Sequence, residues 1–276
     1  MGDIFAFDVA RLAVKAILTS AAAYPKPGLA TPLDGGTQGT GPEGTGPMDF
    51  QTMIGGALAL LPCFLNCASI GFEMAGMGPE DVLGHLRAAG RQGEREAARA
   101  TGRPGAFRGV LFFLGLLCAG VGRLLAHGRD LNPRALALSA SSFVRGVAAA
   151  DQGGAQEEAG RGFPVTLNAA ALLRSPELEC LTPRERLAHV FLSILSQNAD
   201  SSLAAGGPDG LPTVQGMARD ALAAGGMLTP LGREAVEEME RKFRERRLSP
   251  RGGFTVLSAA VFLLEAQGLS AGPVGV

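Results

Sequence analysis

The sequence predicts an all-α protein, and three observations support that fold class. Apolar residues recur at helical spacing through most of the 276-residue chain. Prolines stand where these segments begin and glycine-rich pairs stand where they end, which is typical of helix boundaries. Alternating patterns of the kind that form strands are nearly absent. We therefore expect a single-domain, multi-helix bundle over residues 1–276 with apolar helices buried at its centre.

The first predicted helix runs over about residues 5–20, where apolar residues recur and prolines then end the helix. Four later helices start at the prolines Pro79, Pro133, Pro183 and Pro230. The remaining boundaries follow glycine stops or apolar periodicity. The later predicted helices cover residues 49–71, 79–100, 107–127, 133–150, 167–173, 183–197, 210–224, 230–245 and 254–266.

Two of these segments, residues 50–72 and 110–122, carry no charge. The first is about as long as a membrane span. Gly55, Gly56 and Pro62 interrupt it, however, and no lysine or arginine cluster flanks either end. We therefore interpret both segments as central helices of a bundle and predict no membrane partner.

Composition excludes several classes of function. The formal charge is −1, which gives no basic field for nucleic acid. No secretory signal is visible, so we expect a cytoplasmic protein. Cys63 and Cys67 lie four residues apart, the spacing of a possible metal pair, but no histidine lies nearby to complete a ligand set. We interpret them as buried free thiols.

The stretch from Tyr24 to Asp34 is the most informative part of the chain. Pro25, Pro27 and Pro32 exclude a helix interior or central strand, so Lys26 is predicted to lie on a stiff loop. A lysine beside Gly28 suits a phosphate, because the glycine lets main-chain N–H groups approach the anion. The alternative is a tight connection between helices whose lysine is solvated. In either case we expect Lys26 to contribute little to stability.

Several blocks of this chain resemble the triphosphoribosyl-dephospho-CoA synthase family, the CitG/MdcB-type proteins. The blocks follow the order of that family over nearly the whole chain. They are Pro25-Lys26-Pro27-Gly28-Leu29, Met48-Asp49-Phe50, Ala100-Thr101-Gly102, Arg108-Gly109, Gly162-Phe163-Pro164 after Glu157-Glu158, Gly206-Gly207, Thr229 to Glu234, and Arg246 to Pro250 with Gly252-Gly253.

The resemblance implies an all-helical cytoplasmic transferase that uses ATP and Mg²⁺ to glycosylate 3′-dephospho-CoA and releases adenine. The product would be the prosthetic-group precursor of the acyl carrier protein of citrate lyase or malonate decarboxylase. The chain contains no Gly-Lys-Ser/Thr motif, so ATP would bind by another architecture than a P-loop. A homo-oligomer is compatible with the sequence.

Site residues are assigned from the same resemblance, and we expect their loops to converge on one cleft. The proposed catalytic carboxylates are Asp49, Glu157 and Glu158. The last two lie between glycines, are predicted to form a loop, and are candidate Mg²⁺ ligands. The proposed substrate-binding residues are Lys26, Gly28, Asp34, Thr101, Arg108, Gly206, Gly207, Ser249, Gly252 and Gly253.

The chain departs from the family pattern where the family carries ionisable or polar side chains. Ser20 stands where the family has a glutamate, and Phe107 where it has a histidine. Further replacements fall on Thr45, Pro47, Gly105, Ala106, Ala204, Ala205 and Thr255 or Val256. Loss of one positioned acid or base costs about 10²–10⁴ in rate.

Two main interpretations therefore stay open. The chain is a transferase of this family, or it is a catalytically weak or inactive relative that binds a ligand or a protein. An enzyme with a changed substrate is a third. The replaced side chains favour weak or absent transfer and a cleft that is more apolar than that of the family.

Overall fold

A computed structural model describes residues 2–31, 48–145, 154–197 and 209–269, with side-chain surroundings from residue 5 onward. This part of the chain is helical with no strand, which confirms the predicted all-α class. The helices are α1 Gly2–Ala21, α2 Phe50–Ala59, α3 Leu61–Glu73, α4 Pro79–Thr101, α5 Arg108–Ala126, α6 Pro133–Ser142, α7 Gly154–Gly160, α8 Pro164–Leu173, α9 Pro183–Gln197, α10 Gly210–Ala223, α11 Pro230–Arg246 and α12 Arg251–Ala266.

Helix α5 forms the centre of the bundle and packs against α3, α6 and α12. Its approach to α3 depends on glycine. A Cβ atom at Gly71 would lie 2.0 Å from the Ala119 carbonyl oxygen, and one at Gly122 would lie 2.1 Å from the Ala68 carbonyl oxygen. The two backbones are therefore close enough that only glycine fits at these crossings.

The other uncharged segment differs from the prediction, because it forms two helices instead of one. The helix is interrupted at Leu60, and Pro62 lies in the first turn of α3, where proline is tolerated. Both Phe50–Glu73 and Arg108–Ala126 are long and apolar enough to cross a membrane. In the second, 72% of the apolar window is buried inside the protein, against 39% in the first. The predicted central position therefore fits α5 better than α2 and α3, which expose Leu58 and Phe72.

Other helix boundaries also differ from the prediction, including the start of α8, which lies at Pro164 and not at residue 167. Helix α6 ends at Ser142, whereas the prediction continued to residue 150, and residues 146–150 lie outside the described part. Residues 154–160, expected to be a loop, form α7. Helix α12 begins at Arg251, so Gly252 and Gly253 lie in its first turn. Helical backbone geometry prevailed over the glycines at each of the last two places.

The thiol prediction is confirmed for the pair in α3. Cys63 and Cys67 are free and buried, as is Cys118 in α5, whereas Cys180 is free and exposed. The Cys63 thiol donates a hydrogen bond to the Ala89 carbonyl oxygen over 3.4 Å, which links α3 to α4. These thiols therefore act as small core residues.

Candidate functional site

Lys26 lies in the core, although the sequence placed it on a stiff loop with a solvated side chain as the alternative. Only 2% of the residue is exposed. Its ammonium donates a hydrogen bond to the Ala21 carbonyl oxygen at the end of α1 over 2.9 Å, and it lies 5.3 Å from the centre of the Phe254 ring in α12. The favourable field at a helix C-terminus and the ring face both stabilise a buried cation.

Gly28 brings the Lys26 loop against the segment before α12. Its φ of +75° lies in the left-handed region, and a Cβ atom there would lie 2.4 Å from the Leu248 carbonyl oxygen and 2.9 Å from Pro250 Cδ. The Gly28 N–H donates to Glu240 Oε2 of α11 over 3.1 Å. Ser249 lies between Leu248 and Pro250 in the sequence and therefore also lies beside the Lys26 loop. We call Lys26, Gly28, Ser249 and Phe254 the Lys26 cluster.

The first turn of α12 also contacts two other helices. A Cβ atom at Gly253 would lie 2.7 Å from the Leu195 side chain near the end of α9. One at Gly109, in the first turn of α5, would lie 2.8 Å from Thr255 Oγ1. The N-terminal turns of α5 and α12 therefore meet next to the Lys26 cluster. The dipole at the N-terminus of a helix favours anions.

Arg108, the first residue of α5, is an exposed cation in this region. Its guanidinium lies 2.8 Å from Glu94 Oε1 of α4, and its Nε also donates to that oxygen over 3.1 Å. Both residues line a cavity of about 260 Å³ between α4 and α5, which also reaches Gln156 of α7. We call it the Arg108 cavity.

Phe107 does not stand in an open cleft. The residue is buried, and a Cβ atom at Gly56 of α2 would lie 2.3 Å from the ring atom Cε2. Thr101 packs at the same point, because its Cγ2 would be 2.7 Å from that Cβ. The Thr101 hydroxyl donates to the Ala97 carbonyl oxygen over 2.7 Å and accepts from the Arg103 N–H over 3.2 Å. In this structure the two residues join α2 to the end of α4.

Asp49 caps α2. One carboxylate oxygen accepts the Thr52 N–H over 2.8 Å, and the other accepts the Thr52 hydroxyl. These hydrogen bonds lower the pKa of the Asp49 carboxyl, with the hydroxyl contributing most. Asp49 is therefore an ionised helix cap, a role that also suits its place at the positive end of the helix.

Glu157 and Glu158 are adjacent in α7 but have different surroundings. Glu157 is exposed and forms an ion pair with Arg161 at 3.3 Å. Glu158 is buried, and its Oε1 accepts the Thr166 N–H over 2.9 Å and the Thr166 hydroxyl over 3.1 Å. Burial raises the pKa of the Glu158 carboxyl, although these hydrogen bonds oppose the shift. Glu158 thus stabilises the start of α8.

Ser20 is the position at which the sequence resemblance led us to expect a glutamate. The residue is fully buried in the last turn of α1, and its hydroxyl oxygen has no hydrogen-bond partner among the residues that the structure describes. It adjoins Ala21, whose carbonyl holds Lys26. A buried hydroxyl without a partner costs about 1–3 kcal/mol, so the position is better suited to a group that is able to reach a polar partner.

Several predicted positions lie outside the described residues. Among the proposed substrate-binding residues these are Asp34, Gly206 and Gly207; among the departures from the family pattern they are Thr45, Pro47, Ala204 and Ala205. Over the ranges that the structure covers, no group of three or more histidine, cysteine, aspartate or glutamate residues could hold a metal ion. The Mg²⁺ assignment to Glu157 and Glu158 stays a prediction.

Contacts join some of the predicted residues into two groups, and Asp49, Thr101 and Glu158 belong to neither. The Lys26 cluster contains Lys26, Gly28, Ser249 and the first turn of α12. The Arg108 cavity is lined by Arg108 and by Gln156, the residue before Glu157. Gly109 and Thr255 connect the two groups. The sequence did not indicate Glu94 or Glu240, because each meets its partner only through the packing of separate helices.

In this all-helical protein the buried Lys26 and the ion-paired Arg108 lie next to the N-terminal turns of α12 and α5. The chain matches the family described as ATP:dephospho-CoA triphosphoribosyl transferase over residues 6–156 and 145–272. Since these matches cover nearly the whole sequence, the chain belongs to that family, as the sequence blocks indicated. No solved structure matches the chain.

Proposed function

We propose that this chain binds ATP and 3′-dephospho-CoA and transfers the triphosphoribosyl group from ATP to dephospho-CoA, with release of adenine. The product would be the prosthetic-group precursor of the acyl carrier protein of citrate lyase or malonate decarboxylase. Membership of the family supports the reaction class. The observation that supports the location of the substrate site is the contact between the N-terminal turns of α5 and α12 beside Lys26.

The proposed reaction places distinct demands on this region. Breaking the bond between ribose and adenine develops positive charge at C1′, which a nearby carboxylate stabilises. The triphosphate needs cations, and Lys26 and Arg108 are the proposed pair. Bound Mg²⁺ would neutralise phosphate charge and needs only one or two protein oxygens. Glu157 suits that role better than Glu158, because the Glu157 carboxylate is exposed and its ion pair is easily exchanged.

A second candidate is a relative that binds the same ligands with little or no transfer. Ser20 supports it, because a buried hydroxyl replaces the carboxylate that the family carries beside the Lys26 contact. Two of the three proposed catalytic carboxylates also have structural roles, Asp49 as the cap of α2 and Glu158 as the acceptor at the start of α8. Either would have to break hydrogen bonds before it could act on a sugar.

The experiment is incubation with ATP, Mg²⁺ and 3′-dephospho-CoA, followed by chromatography for adenine and by mass spectrometry for the coupled product. Calorimetric titration of each substrate is run in parallel. Adenine released in equal amount with the product supports transfer. Binding of both substrates without adenine supports the second candidate, and absence of binding contradicts both. An Arg108→Ala variant should lose affinity for both nucleotides, whereas Arg11→Ala, an exposed arginine of α1, should not.

A further inference from the structure

The Arg108 cavity has one charged end and one apolar, buried end. Arg108 is exposed at one end, with 76% of its side chain accessible. At the other end the lining includes Cys67, of which only 2% is exposed. Along α5 the lining runs from Arg108 to Leu116, eight residues, which corresponds to about 12 Å of helix. The Arg108 cavity therefore runs as a slot from an exposed end to a buried end.

The two ends differ in the chemistry that they offer a ligand. Leu83, Leu86, Leu111 and Leu116 form the inner walls and are buried. The Glu94–Arg108 ion pair lies at the exposed end, and Arg87 lines the cavity about two turns along α4 from Glu94, so the charged groups of the lining sum to +1. Ligand sites of this kind, apolar with a few placed polar groups, take a molecule with an apolar arm and an anionic head.

We propose, on the basis of the proposed function, that this slot binds the pantetheine arm of 3′-dephospho-CoA. The arm's methyl and methylene groups lie against the leucine walls, and its thiol points toward Cys67. Its two amides lie within reach of the polar lining residues Glu94, Gln156 and Arg87, and the diphosphate lies at the exposed end beside Arg108.

The position of the slot relative to α12 supports this orientation. Arg108 is at the exposed end, and the next residue, Gly109, packs against Thr255 of α12. A ligand whose diphosphate contacts Arg108 therefore has its nucleotide half on the side of the Lys26 cluster. The acceptor ribose of dephospho-CoA would then lie where the triphosphoribosyl donor is proposed to bind.

Substitution of Gly90 by a larger residue would fill the slot. Gly90 of α4 lines the cavity, and a Cβ atom there would meet no atom within 4 Å. Gly84 of the same helix also has no atom within 4 Å of an added Cβ, is exposed, and does not line the cavity. Gly90→Leu and Gly84→Leu therefore change helix propensity alike, but only the first places a side chain in the slot.

The test compares 3′-dephospho-CoA with ADP, which is the same nucleotide without the pantetheine arm, by calorimetric titration. Wild type should bind dephospho-CoA more tightly than ADP by about tenfold or more. Gly90→Leu should reduce that ratio to about one by weakening dephospho-CoA only, and Gly84→Leu should keep the wild-type ratio. Thermal unfolding by circular dichroism checks that each variant is folded.

The possible outcomes distinguish failure of the pantetheine-arm inference from failure of the proposed function. Equal affinity of wild type for dephospho-CoA and ADP overturns the inference while leaving nucleotide binding intact, and this result does not depend on any variant folding. An unchanged ratio in folded Gly90→Leu also overturns it. If wild type binds neither ligand, the proposed function fails and the inference fails with it.

Discussion

The ammonium of Lys26 lies 5.3 Å from the centre of the Phe254 ring and 2.9 Å from the Ala21 carbonyl oxygen. The side chain therefore connects the end of α1 with the first turns of α12. Because Lys26 is nearly inaccessible to water, its charge depends on these neighbours. Any contact with a phosphate would require the ligand to reach into the core at this point, and the same residue must support the fold.

Lys26→Ala should destabilise the protein by about 2–4 kcal/mol, because it leaves a void and removes the donor to a helix-terminal carbonyl. Urea unfolding gives the change, provided that the slope with denaturant is constant. Lys15→Ala is the control, since Lys15 is half exposed in its ion pair with Glu265 and exposed pairs contribute about 1 kcal/mol or less. Equal, small effects of the two substitutions would contradict the structural role of Lys26.

The sequence predicted the loop of Lys26 but not its burial, and the reason is physical. Three prolines restrict local backbone angles, which is information within the segment. Burial depends on Phe254 and Leu248, which reach the loop only after α11 and α12 have packed. The same distinction holds for Glu158, whose segment is flanked by glycines at Gly154 and Gly160 but whose partner is Thr166 of the next helix. Helical periodicity is local and was predicted well; contacts between helices were not.

Gly56→Ala and Gly55→Ala should have opposite effects on stability. A Cβ atom at Gly56 would lie 2.3 Å from the Phe107 ring, which cannot move easily in a packed core, whereas one at Gly55 meets nothing within 4 Å. We expect Gly56→Ala to lose about 1–3 kcal/mol and Gly55→Ala to gain up to about 1 kcal/mol from helix propensity.

Denaturant unfolding of these two variants, of Phe107→Ala and of Gly56→Ala/Phe107→Ala completes this test. In the Phe107→Ala background the ring is absent, so Gly56→Ala should reduce the free energy of unfolding by less than it does in wild type. Strict additivity of the two substitutions would show that Phe107 does not pack on Gly56. It would also restore the possibility that the ring projects into the candidate cleft.

Glu158 predicts a pH dependence with a definite sign. Burial raises the pKa of this carboxyl in the folded protein, so the stability that it contributes is fully present below its unfolded pKa and declines as pH rises through the folded pKa. Glu158→Gln keeps an acceptor for the Thr166 N–H without the charge. The free energy of unfolding of Glu158→Gln minus that of wild type should therefore increase between pH 4 and pH 7.

Glu157→Gln is the matched control, because Glu157 is exposed and has only the ion pair with Arg161. It should change stability by about 0.5 kcal/mol or less at either pH. Glu158→Ala should lose about 1–2 kcal/mol, since the N–H of Thr166 is left without its acceptor. If Glu158→Gln and wild type show the same pH profile, the Glu158 carboxyl is not shifted in the fold.

His189 predicts the opposite dependence in a different pH range. Desolvation lowers the pKa of this imidazole, and its Nδ1 accepts the Met227 N–H over 3.2 Å, which only the neutral ring is able to do. The stability that it contributes is present above the unfolded pKa and declines as pH falls through the folded pKa. Wild type should therefore lose stability from pH 7 to pH 5 by more than His189→Gln does. An identical loss of stability in His189→Gln would assign the acid sensitivity to other groups.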